Sequence, residues 1–188
     1  MRLISFLNST FGLILTLFII TSCISNNVNN SGAKTENLSN LTLEEVFKLD
    51  PDTKSIYEKA AGVLIMPKVS KASFLLGGSY GEGVLKIGNA TVDFYSIASA
   101  SYGLQIGAQQ SSHILFFMTK EALRDFRTID GWEVGADAEV TIRDKGYSYT
   151  VSSNTISKPI YAVVLNQKGL MAGASLEGAK YSRLIRGL

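Results

Sequence analysis

Trp132-Glu133-Val134-Gly135-Ala136-Asp137-Ala138-Glu139-Val140-Thr141-Ile142-Arg143 is the stretch whose pattern decides the fold class. Trp132, Val134, Ala136, Ala138, Val140 and Ile142 alternate with Glu133, Gly135, Asp137, Glu139, Thr141 and Arg143. A period of two gives a strand one dry face and one wet face. Asp144-Lys145-Gly146 follows as a turn signal, and Tyr147, Tyr149 and Val151 alternate on the return. The spacing predicts a long antiparallel hairpin with Trp132 heading its buried register.

The same alternation appears on either side. Tyr102, Leu104, Ile106 and Ala108 alternate with Gly103, Gln105, Gly107 and Gln109, and Ser112 to Met118 is a further apolar run. Val63-Leu64-Ile65-Met66-Pro67 suits a buried strand, and 160–165 and 170–176 supply the last ones. Thr119 is placed to cap a helix carrying Ala122, Leu123 and Phe126. No strand–helix–strand rhythm is present, which excludes a doubly wound parallel sheet. The expected class is α+β: a mostly antiparallel sheet with two or three short helices.

Upstream, Thr42-Leu43-Glu44-Glu45 fits a capping box with Thr42 as N-cap. Asp50-Pro51 closes that helix and opens a second, in which Ile56, Tyr57, Ala60 and Ala61 form the apolar face, with Gly62 as its stop. Residues 24–40, rich in Asn and Ser and without an apolar period, read as a flexible linker. Ahead of them, a single charge (Arg2), the apolar run Phe11 to Ile20 and then small residues make a secretory signal peptide, too short to span a bilayer comfortably. Ile20-Thr21-Ser22-Cys23 resembles a bacterial lipobox, so Cys23 is the expected acylation site. Two or more acyl chains anchor stably where one is marginal. The expected organisation is therefore a lipoprotein signal peptide (1–22), a lipidated Cys23 with its linker (23–40), and a folded domain (41–188). The expected location is exported and membrane-anchored. Ile24 in place of Asp after the cysteine is the outer-membrane address if the source is Gram-negative.

Composition narrows the chemistry. The chain has 188 residues, a net charge of +2, one Cys and one His. One Cys excludes an internal disulfide, and one His with one Cys excludes the common zinc sites. The near-balanced charge excludes a generic nucleic-acid binder. Gly78-Ser79-Tyr80-Gly81-Glu82-Gly83 has neither the spacing of the dinucleotide fingerprint nor the Lys of a P-loop, and reads as a bulge or tight turn between strands; glycines in strands also mark places where another backbone or a ligand comes close. His113 reads as structural, and Asp137 with Glu139 as a solvated face. No catalytic residue, metal or cofactor is expected. Lys54, Lys59, Lys68 and Lys71 are the densest basic group beyond the linker. Each such lysine near an anionic membrane contributes about 1 kcal/mol, so these four are the candidate lipid-binding residues.

Several stretches together resemble the SYLF domain family, most strongly its bacterial secreted branch. They are residues 60–67 (Ala60 to Pro67), 71–74 with 78–85, 101–109, 116–119, 131–135 and 168–173, in the family's order over roughly residues 57–185. The resemblance implies a non-enzymatic module that binds phospholipid. Eukaryotic members recognise phosphoinositides, and some bind actin. The first helix here carries Glu44, Glu45 and Asp50 against Lys48, which argues against carrying over phosphoinositide specificity, and an exported protein meets actin only at a host surface. The alternative reading is a structural or protein-interaction module of the cell envelope.

Overall fold

The computed structural model describes residues 24–138, 140–142, 158–166, 169–170, 176 and 178–185, with the backbone alone for 24–30, 73–76 and 101–106. Cys23 and the signal-peptide segment lie outside the described residues, as does the return of the expected hairpin at Tyr147, Tyr149 and Val151. Residues Thr35–Ile185 form one compact unit.

The unit is built on a two-stranded ribbon. Strands β1 (Gly62–Ile87) and β2 (Ala90–Phe117) pair antiparallel along their whole length, from Gly62 opposite Phe117 to Ile87 opposite Ala90. The connection is Gly88-Asn89, and Gly88 takes the left-handed φ of 58° that a tight hairpin turn demands. The ribbon curls back on itself. Its outer half, where β2 residues 111–117 pair with β5 (Ile160–Asn166), stands against its turn half, where β2 residues 94–98 pair with β7 (Lys180–Leu184). β3 (Trp132–Glu133) pairs with β7, and β6 (Gly169–Leu170) with β5. β4 (Thr141–Ile142) pairs with β5 in parallel, and the other strand pairings are antiparallel.

The glycine-rich stretch explains the curl. It is not a turn: Gly78 to Gly83 lie inside β1. A Cβ on Gly81 would stand 2.5 Å from the Lys68 carbonyl oxygen, and one on Gly83 would strike the carbonyl of Ile65. The two halves of one strand therefore touch backbone to backbone, which side chains at these positions would prevent.

Alternation along the curled sheet feeds two cores. Leu64, Met66, Leu85, Tyr95, Ile97, Leu115 and Phe117 point inward. Helix α3 (Lys120–Thr128) closes this interior with Phe126, whose ring lies 4.7 Å from both Tyr95 and Phe117 and 5.2 Å from Trp132, centroid to centroid. Trp132 is 1% exposed, as its place at the head of the dry register predicts. Thr119 is the N-cap of α3, its Oγ1 accepting from the Ala122 amide at 3.1 Å. The other face of the sheet, Val63, Ile65, Val84, Phe94, Ile114 and Phe116, is covered by helices α1 (Ile24–Leu49) and α2 (Asp52–Lys59) through Leu43, Val46 and Ile56.

Two sequence readings are corrected. The first concerns the helix start at Thr42. Thr42 is interior to α1 and its hydroxyl donates to the Leu38 carbonyl at 2.9 Å, while Ser39 donates to Thr35 at 2.8 Å. Thr35, Ser39 and Thr42 are buried at helical spacing, so residues 35–40 belong to the folded unit and not to a linker. The second concerns Trp132 to Arg143. Among the described residues of this stretch Trp132–Glu133 and Thr141–Ile142 pair as strands; between them Gly135 turns with φ 91°, the Asp137 amide donates to the Glu133 carbonyl, and the Asp137 carboxylate accepts from the Glu133 amide at 2.6 Å. A short acidic side chain has taken the donor that a partner strand would have used. Among the described residues the long hairpin is β1–β2.

Candidate functional site

The four lysines are all exposed. Lys54 and Lys59 lie on α2, Lys59 as its last residue. Lys68 lies on β1 within the irregularity between Met66 and Val69, where β1 carries an extra residue against β2, and Lys71 lies beyond it. At about 3.3 Å per strand residue, the chain from Gly62 to Lys71 runs roughly 30 Å, which divides the group into a helix pair and a strand pair.

The strand pair stands at the open end of the curled ribbon, beside a cavity of about 530 Å³ lined by Ser70, Lys71, Ala72, Gly78, Ser79, Tyr80, Ala108, Gln109 and Gln110. Its walls are the two halves of β1 and the facing part of β2. Register fixes which groups share the inward face. Lys71 is opposite Gln109, Val69 opposite Ser111, and Ser79 opposite Ser99, while Val69 and Ile97 lie on the interior side of the sheet. Ser79 and Ser99 join their hydroxyls at 2.6 Å. Further in, Ser111 Oγ lies 2.9 Å from Nε2 of His113. His113 is buried, its Nδ1 has no partner among the described residues, and burial pushes its pKa down to about 4. The neutral ring fits a structural role, and the described residues place no carboxylate on Nδ1 to orient it as a base. Asp137 is spent on its own turn, and Glu139 lies outside the described residues.

At the opposite end of the interior, Asp93 is 5% exposed at its side chain and is held by Arg127 of α3 at 3.1 Å and Arg183 of β7 at 2.5 Å. Two guanidiniums compensate one buried carboxylate, which a single exposed partner would do poorly. Sequence reading missed this triad because its members are far apart in the chain. It also missed Ser79, Ser99 and Gln109. A signal for Gln109 was present: Gln109-Gln110-Ser111-Ser112 is a run of four polar residues just before the apolar stretch Ile114 to Phe117.

A protein-family model, Ysc84, described as Las17-binding protein actin regulator, matches residues 98–184. The match agrees with the resemblance to the SYLF family and covers somewhat less than half of the chain. The matched segment takes in most of β2, α3, β5 and β7, and so both Arg127 and Arg183. The family is one of binding modules. No curated protein matches the chain. Among the described residues no helix is long and apolar enough to cross a membrane.

Proposed function

We propose that the protein is a lipid-anchored, non-enzymatic component of the cell envelope whose SYLF domain binds phospholipid. The observation that carries the reading is the strand pair: Lys68 and Lys71 extend into water beside a cavity offering hydroxyl and amide groups and, among the described residues, no carboxylate. Lys54 and Lys59 form a second basic contact on α2. Acylated Cys23 holds the domain at one leaflet, at an outer membrane if the cell has one, and such a tether raises the effective lipid concentration.

The test is sedimentation of the chain lacking residues 1–23 with anionic vesicles at low salt. The triple substitution Lys59→Ala, Lys68→Ala, Lys71→Ala, folded by circular dichroism, should bind weaker by up to about 3 kcal/mol, from about 1 kcal/mol per lysine. Undiminished binding would leave these lysines a solvated edge. The anchor is checked separately: Cys23→Ser should abolish metabolic palmitate labelling, and label retained in the variant refutes acylation there.

A second reading, a protein-interaction module, draws on the description of the matching family, which names a protein partner and an actin regulator. An apolar protein interface is far less sensitive to salt than a lysine–lipid contact, so binding that survives high salt favours it.

A further inference from the structure

The interior of the curled ribbon is apolar along most of its length and ends in a file of polar groups at the bend. Lys71, Gln109 and Ser111 from one half and Ser79 and Ser99 from the other share that inward face by register. Such placement needs explaining, because the same face a few residues further along carries Leu64, Met66, Leu115 and Phe117. Polar side chains there give up packing without closing the end, and the result is an open cavity of about 530 Å³. That volume is within the range of small-ligand pockets.

The donors present define the ligand. Lys71 brings three N–H donors and a full positive charge, and Gln109 and Gln110 each bring an NH₂ group. The Ser79–Ser99 pair shares one hydrogen bond, so only one of its two hydroxyl protons is used between them. Among the described residues no acidic side chain lines the cavity; Glu82, two residues beyond Tyr80 on the same strand, accepts from the Tyr80 hydroxyl at 2.9 Å. A set of donors with a single cation and no competing carboxylate suits a singly charged, multi-acceptor oxyanion. Tyr80, 54% exposed at the rim, offers the amphipathic ring that settles at a head-group layer.

We propose that the cavity at the ribbon bend is a phosphate-binding site, with Lys71 supplying the charge, Ser79, Gln109 and Gln110 supplying hydrogen bonds, and Ser99 holding the Ser79 hydroxyl from behind the lining. The inference rests on the phospholipid reading above and narrows it to one end of the molecule: the head-group phosphate enters the cavity, and Lys54 and Lys59 remain outside contacts. Lys68, just before the cavity on the same strand, lies near its mouth and not in its lining.

Residue-resolved lysine reactivity tests it on the full chain. The protein is incorporated in phosphatidylcholine vesicles with or without phosphatidylglycerol, pulsed with an amine-acetylating reagent, and each lysine is read by mass spectrometry. A parallel arm adds inorganic phosphate to the phosphatidylcholine sample, with sodium chloride at matched ionic strength as its control. Phosphatidylglycerol should slow acetylation of Lys71 at least fivefold, and that of Lys54 and Lys59 much less. Inorganic phosphate at millimolar concentration should slow Lys71 as well, and chloride should not. Ser99→Ala should abolish most of the phosphate effect while leaving Lys71 as reactive as in the parent without ligand. Protection by phosphate but not by phosphatidylglycerol supports the cavity and removes the lipid reading. Protection of Lys54 and Lys59 by phosphatidylglycerol with Lys71 unchanged overturns the cavity and leaves the lipid reading standing. No protection in either arm overturns both.

Discussion

Trp132 shows how much a single side chain holds. Its ring is wedged against Phe126, Phe117 and Tyr181 and is 1% exposed. Trp132→Ala should destabilise the domain by about 3–5 kcal/mol, measured by urea unfolding, and the native Trp emission should be that of a dry environment. Gly83 is the reverse case, where adding one carbon does the damage. Gly83→Ala drives a methyl into the Ile65 carbonyl and should cost about 1–3 kcal/mol by overpacking, whereas Gly78→Ala, whose nearest neighbour would be the Ser99 carbonyl at 3.7 Å, should be nearly neutral. His113 sets a pH dependence. Its folded pKa, about 4, is below the ordinary 6.5 because burial disfavours the cation. Between those values the unfolded chain binds the extra proton, so this group's contribution is complete above pH 6.5 and is lost as pH falls towards 4. His113→Gln should flatten that part of the stability profile, by a few kcal/mol in all. An unchanged slope between parent and variant would show that the ring is not dry.

Elements follow local rules where a local signal exists. Thr119→Ala removes the α3 cap and should cost about 1 kcal/mol, read by thermal or denaturant unfolding. Asp93→Asn should loosen α3 from β2 and β7 by about 1–2 kcal/mol; the figure is modest because Arg127 and Arg183 are partly solvated and can return to water. The cap, the apolar face of α3 and the burial of Trp132 were legible because each rests on a few adjacent residues. Helix α1 was not legible before Thr42. Its inner face uses Thr35, Ser39 and Thr42, small hydroxyl residues that bond back to their own helix, so no apolar period announces it. The strand that starts at Trp132 breaks for a related reason: Asp137 redirects the chain through its own side chain, while the turn of the β1–β2 hairpin is the inconspicuous Gly88-Asn89. The lysines were legible as a group in the sequence, but a strand of roughly 30 Å between them is a property of the fold. The hydroxyl pair Ser79–Ser99 became visible only through register.

At the scale of the whole molecule, both walls of the interior come from one hairpin, and that has a consequence for how the chain finds its structure. Zipping β1 against β2 from Gly88-Asn89 adds one cross-strand pair at a time, so no step has to close a large loop. The long-range contacts at Gly81 and Gly83 then arise when an already paired ribbon curls, not when distant segments meet. Chains dominated by such stepwise local closure fold faster than those waiting for remote partners. Pulsed hydrogen exchange during refolding should therefore protect amides of residues 84–87 and 90–95 first, those of 62–69 next, and those of β5 and β7 last. Simultaneous protection of β5 with the turn would mean that the ribbon is shaped by its neighbours. In the order argued here, a nascent chain that has emerged only as far as Phe117 already holds the template on which every later strand is laid.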